Sequence, residues 1–189
     1  MKTVAIIHGW AGGPRITRYF ANELAAAGFK VVKNPEQADI IFAHSAGVYK
    51  IPKNNGASLI IFHCPPYWPG KSIISRLFAH AASDAAEVAK HYGLGYLATR
   101  RLWETYYVFR HPSVTVAALR NKNNLEFLSR SVRNALLTRN KLDKFCSPEI
   151  KEKVKPYKNI KYVEFPGGHD DYIRNPKPYI DLLLKELEG

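Results

Sequence analysis

The stretch Asp39-Ile40-Ile41-Phe42-Ala43-His44-Ser45-Ala46-Gly47-Val48-Tyr49 decides how the chain is read. Asp39–Ala43 is a short apolar, β-branched run of the kind that forms a buried strand, and Ala46–Tyr49 starts a short helix after it. Between them stands Ser45, flanked two residues away on each side by Ala43 and Gly47. A chain that leaves a strand and enters a helix within so few residues folds back on itself, and only small flanking residues fit. The serine hydroxyl is then presented beyond the carboxyl edge of the sheet, where a helix N-terminus favours developing negative charge. A pentapeptide of this form also occurs by chance, so its neighbours carry the argument.

Toward the N-terminus, Lys2–Ile7 reads as a first strand and Phe29–Lys33 as a second, with a helix over Arg15–Ala27 between them. That helix carries Ile16, Tyr19, Phe20 and Leu24 at helical spacing, begins after Pro14 and ends at Gly28. The connection His8-Gly9-Trp10-Ala11-Gly12-Gly13 can converge backbone N–H groups on an anion. It matches neither the GxGxxG dinucleotide pattern nor a GxxxxGK[ST] phosphate loop. An oxyanion hole built here would draw on the N–H groups of Trp10 and Ala46.

Toward the C-terminus, Ser58–His63 is a fourth strand ended by Cys64-Pro65-Pro66, Asn134–Thr138 a fifth and Ile160–Phe165 a sixth. Pro176–Leu187 closes the chain as an amphipathic helix with Tyr179, Ile180, Leu183, Leu184 and Leu187 on one face. Between the fourth and fifth strands, Lys71–His111 is helical and aromatic, interrupted at Gly93-Leu94-Gly95. The segment Val114–Leu119 reads either as a strand or as part of a helix over roughly Ser113–Arg130, and the helix is preferred. Strands alternating with helices specify an α/β fold with a doubly wound, mostly parallel six-stranded sheet.

Composition bounds the alternatives. The 189 residues suit one domain, and 46% apolar content excludes a disordered basic tail. No apolar run reaches the roughly 18 residues of a membrane span. The first strand stops at His8-Gly9 where a secretory leader would continue, so a cytoplasmic protein is expected. Cys64 and Cys146 have no CxxC spacing and read as buried apolar side chains. The formal net charge is +12, and residues 120–162 carry twelve Lys and Arg against four Asp and Glu. No zinc-finger spacing, aromatic-glycine RNA-binding signature or basic heptad accompanies that excess. A solvated basic surface is expected, not a nucleic-acid site. His8, His44 and His63 each end a strand, but no carboxylate or HExxH pattern joins them, so no metal site is expected.

Taken together, Ala43–Gly47, His8–Gly13 and the late Phe165-Pro166-Gly167-Gly168-His169-Asp170 loop resemble the α/β-hydrolase family, in particular its small single-domain serine hydrolases of the esterase type. The resemblance covers most of the chain outside Lys71–Arg130 and implies one domain over 1–189 with a helical cap inserted at 66–131. It implies a strand order of 2-1-3-4-5-6, counted from this chain's first strand. Winding then reverses between the strands that deliver Trp10 and Ser45, where ligands bind. Two of the family's strands are missing, and only Asn34–Ala38 stands where a helix normally precedes the serine strand.

The resemblance also assigns roles. Ser45 is the nucleophile and His169 the general base. Asp143, in Leu136–Asp143 followed by Ser147-Pro148-Glu149, is the acid, 26 residues before His169. Arg139-Asn140 departs from the family's usual His-Gly, and a strand at Val114–Leu119 would offer only asparagines in the acid's place. Asp170 and Asp171 are too close to His169 in sequence to orient its ring well. Tyr67, Trp68, Trp103 and Tyr107 are expected to line an apolar acyl pocket under the cap. The implied activity is a carboxylesterase for small or medium apolar acyl groups, working on a small-molecule ester without a cofactor. A thioesterase or peptidase with the same triad, or a non-catalytic binding protein on the same fold, are the alternatives.

Overall fold

The computed structural model of the chain describes residues 1–9, 14–67, 69, 125–130 and 133–188, together with 89–90, 93–95, 98–99, 102, 105–106 and 109–110. Six strands form one sheet: β1 (Thr3–Ile7), β2 (Lys30–Val32), β3 (Ile40–His44), β4 (Leu59–His63), β5 (Asn134–Asn140) and β6 (Ile160–Phe165). Their order is β2-β1-β3-β4-β5-β6, and every neighbouring pair is parallel. This is the order that the resemblance implies, with the winding reversed at β1 and β3.

A parallel sheet covered on both sides needs strands that are apolar at every position. β3 and β4 meet that demand up to their last residues, His44 and His63, and all ten of their residues are buried. Alternate side chains go to opposite faces. Ile41, Ala43, Ile60, Phe62, Ala135 and Leu137 join one cluster, closed by Val48, Ile51, Tyr67, Phe127, Leu128, Ile150 and Val154. Ile40, Phe42, Leu59, Ile61 and Leu136 join the other. Three helices close that second face: α1 (Pro14–Ala26) with Phe20 and Leu24, α3 (Asp171–Arg174) with Tyr172, and α4 (Lys177–Glu188) with Tyr179, Ile180 and Leu183. A further short helix, α2 (Ile150–Val154), lies between β5 and β6.

Two expectations about helix faces are corrected. Tyr19 is 51% exposed, and Thr17 takes its place on the buried stripe with Phe20 and Leu24; likewise Leu184 stands at 38% exposure. Before β3, only a 3₁₀ turn at Pro35–Gln37 separates β2 from β3, capped by the Asn34 side chain. The carboxylate of Asp39 does part of a helix's work there, accepting hydrogen bonds from Thr3 N–H at 2.7 Å and Thr3 Oγ1 at 2.8 Å and so fixing β3 against β1.

The described residues of 89–110 are all helical. The preferred helix over Ser113–Arg130 ends otherwise than expected: Leu125 is non-helical and Glu126–Arg130 is a 3₁₀ turn whose Phe127 and Leu128 enter the core. Most of the expected cap at 66–131, including Val114–Leu119, lies outside the described residues.

Candidate active site

The site begins with backbone strain. Ser45 follows directly on β3 and has φ 53°, the left-handed region that side chains disfavour. A short 3₁₀ helix, Ser45–Lys50, leaves from it. Two glycines make this turn possible by close approach. A Cβ on Gly47 would lie 2.4 Å from the Ile7 carbonyl oxygen, and one on Gly9 would lie 2.7 Å from Cβ of Ser45 and 3.2 Å from the Ala46 nitrogen. The end of β1 is thus pressed into the serine turn, and the Ala46 N–H lies beside the start of the His8–Gly13 connection. Trp10, the other expected oxyanion donor, lies outside the described residues.

The second half of the site is the pair Asp143 and His169. Nδ1 of His169 lies 3.0 Å from Oδ2 of Asp143, whose side chain is fully buried. Burial works to raise the carboxyl's pKa. The His169 ring, its hydrogen bond, the Phe145 N–H at 2.7 Å and the Cys64 thiol outweigh it and hold Asp143 below the usual range. An ionised carboxylate only accepts, so Nδ1 carries a proton, and in the neutral ring Nε2 then has a lone pair. The His169 ring is held between Phe145 and His44, with centroids at 4.7 Å and 4.6 Å. The structure therefore brings Asp143 and His169 into direct contact and joins them to the serine turn through His44, the residue before Ser45.

Arg139 and Asn140, which break the family's pattern, hold the two loops of the pair. The Arg139 guanidinium is bonded to Glu164 at 2.7 Å, and Nε donates to the Cys146 carbonyl at 2.7 Å. The same guanidinium reaches the carbonyls of Lys141 and Asp143, so it braces the turn that carries Asp143. Asn140 donates from Nδ2 to the Gly168 carbonyl and accepts from the Tyr179 hydroxyl at 2.8 Å, tying β5 to the residue before His169. Both positions were visible in the sequence only as a departure. A polar pair ending a buried strand is the signal that could have marked them.

Cys64 follows β4 as Ser45 follows β3, and it too is left-handed, at φ 48°. Its thiol donates to Asp143, and burial pushes its pKa well up. Among the described residues, two groups bring possible metal donors within 4.8 Å of one another: His44 with His169 and Asp170, and Cys64 with Asp143 and His169. The three strand-end histidines do not form such a group; His63 instead places Nδ1 2.8 Å from the Thr138 hydroxyl. Of the expected pocket residues, Tyr67 is buried in the apolar cluster and pairs its backbone with the segment around Cys146. Trp68, Trp103 and Tyr107 lie outside the described residues.

No protein-family model matches the chain, and no curated protein matches it. Solved structures do. A bromoperoxidase from Bacillus anthracis superposes with a TM-score of 0.70 at 14% identity, covering 100% of this chain and 92% of that one. A hydrolase from Oleispira antarctica gives 0.69 at 15% identity over 100% and 92%. An esterase from Exiguobacterium antarcticum gives 0.66 at 12% identity over the same shares. What these proteins share with the chain is the α/β-hydrolase fold.

Proposed function

We propose that this chain, an α/β-hydrolase by fold, is a serine hydrolase that cleaves carboxylic esters through Ser45, His169 and Asp143. The observation that carries the reading is a left-handed serine at the end of β3 whose strand meets, through His44, a histidine already paired to a buried carboxylate at 3.0 Å. In the reaction, His169 Nε2 takes the Ser45 proton as Oγ bonds to the ester carbonyl carbon. The tetrahedral intermediate collapses, the C–O bond to the alcohol breaks, and the imidazolium returns its proton to the leaving oxygen. Water, deprotonated by the same Nε2, then releases the acid and regenerates Ser45. Asp143 holds the ring in the required tautomer and stabilises its cation.

The Ala46 and Trp10 N–H groups bind the oxyanion, each worth about 3–4 kcal/mol in comparable sites. Small or medium apolar acyl groups are the expected substrates, with Tyr67, Trp68, Trp103 and Tyr107 lining their pocket beneath the 66–131 cap. The chemistry needs no cofactor. The test is labelling by a fluorophosphonate probe. Wild type is expected to be labelled and Ser45→Ala not; a folded wild type that resists the probe defeats the reading. A panel of p-nitrophenyl esters and matched thioesters then separates an esterase from a thioesterase.

A further inference from the structure

We infer that His44 is a positioning residue: its Nε2–H clamps the carbonyl of His169 and so holds the general base over the serine strand. The inference rests on the triad proposed above. The need for a clamp follows from the topology. Ser45 leaves β3 and His169 follows β6, and β4 and β5 lie between them. At about 4.8 Å per strand, the loop after β6 must reach back over roughly 14 Å of sheet edge. Asn140, at the end of β5, holds it partway through Gly168. His44, at the end of β3, holds its far end: Nε2 lies 3.2 Å from the His169 carbonyl oxygen.

A carbonyl only accepts, so Nε2 of His44 carries its proton, and the neutral ring has one tautomer. Oδ1 of Asp170 lies 3.6 Å from the same nitrogen. The ring is buried, with Tyr172 at 4.7 Å, His169 at 4.6 Å and His63 at 5.4 Å between centroids. The groups that face it are His169 and Asp170 from the β6 loop, Asp143 from the β5 loop, His63 from β4 and Tyr172 from α3. Burial and the His169 ring push its pKa down to about 3 against the pull of the two carboxylates, so it stays neutral as the base cycles. Because His44 and Ser45 share a peptide bond, any movement of the clamp changes the distance between nucleophile and base.

The contact is read first without activity. In wild type, long-range ¹H–¹⁵N spectra should show His44 as the neutral Nε2–H form from pH 8 to pH 5; an Nδ1–H form or a protonated ring overturns the inference. His44→Leu, which keeps bulk but has no donor, should broaden or shift the low-field proton of the His169–Asp143 bond. His44→Gln, whose amide nitrogen reaches the Nε2 position, should restore it. A low-field signal unchanged in folded His44→Leu also overturns the inference. In turnover, His44→Leu should lower kcat by about 10–100-fold with KM little changed, and His44→Gln should recover most of the loss. Should wild type resist the fluorophosphonate, the hydrolase reading fails while the spectra still decide whether His44 clamps the loop. If His44→Leu does not fold, the wild-type tautomer alone decides.

Discussion

Adjacent strands β3 and β4 end alike and serve opposite ends. Each closes on a histidine followed by a left-handed residue: His44-Ser45 with φ 53° and His63-Cys64 with φ 48°, the two histidines opposite one another in register. Left-handed non-glycine backbone costs of order 1–3 kcal/mol and persists only where surrounding contacts impose it. At the first end the contacts come from the end of β1 and the residues after it, where Ile7 and Gly9 crowd the turn, and Ser45 keeps partial access to solvent. At the second, the Cys64 N–H is held by the Thr138 carbonyl at 2.8 Å and the side chain is entirely buried against Asp143. The same strain thus leaves a serine hydroxyl partly exposed after one strand and a cysteine thiol buried after the next. Access and partners separate the two, not backbone shape.

The largest effect should be chemical. In Ser45→Cys the introduced thiol stands at the partly exposed turn after β3, whereas Cys64 and Cys146 are buried with their pKa values well raised. Iodoacetamide at pH 8 should modify the introduced thiol faster than either native one by about three orders of magnitude or more, because the native thiols react only when the fold opens. Mass mapping of the alkylated site against time measures this. Comparable modification of Cys64 in folded protein would break the contrast between the two strand ends.

The next effect concerns what forces the first turn. Gly47→Ala must move the Ile7 carbonyl, since the new carbon would sit 2.4 Å from its oxygen. Overpacking against backbone should lower stability by about 2–3 kcal/mol in urea melts, with activity falling alongside. Gly56→Ala is the control: its added carbon meets nothing within 4 Å, and a change within about 0.5 kcal/mol is expected. Equal effects at the two glycines would mean that β1 does not clamp the serine turn.

What could be read in advance follows the same division. The strands were legible because a parallel sheet buried on both faces demands uninterrupted apolar runs, and Ile40–Phe42 and Leu59–Phe62 supply them. Ser45 stands out in the sequence because a tight strand-to-helix turn restricts its neighbours to small residues, whereas Asp143 is marked only by the resemblance of Leu136–Asp143 to the acid turn of the α/β-hydrolases, 26 residues before His169. His44 was not, because its partner is a backbone carbonyl 125 residues away, and carbonyls leave no mark on composition. Cys64 was read correctly as buried, but its left-handed backbone has no residue signature. Tyr19 was misassigned because an aromatic at helical spacing satisfies the apolar stripe in one dimension, while Thr17 fits the sheet better in three.

The smallest predicted effect tests the histidines that precede the two strained residues. Both are buried and neutral, held below their ordinary 6.5 chiefly by burial. The unfolded chain binds a proton at each below pH 6.5 while the folded chain does not, so stability falls as pH drops through that value, by about 1.4 kcal/mol per unit for each ring. His63 is the cleaner probe: Nδ1 meets Thr138, Nε2 has no hydrogen-bond partner among the described residues, and its closest rings are aromatic. Between pH 7.5 and pH 5, His63→Phe should therefore lose about 2 kcal/mol less than wild type in paired denaturant titrations. Any cost of the substitution that does not depend on pH, including the freed Thr138 hydroxyl, cancels in that difference. His44→Gln should shift the curve in the same direction, since His44 stays neutral down to about 3. Parallel curves for wild type and His63→Phe would mean that the His63 ring takes up a proton inside the fold. The second strand end would then hold a charge, and the contrast between a partly open end and a closed one would have to be redrawn.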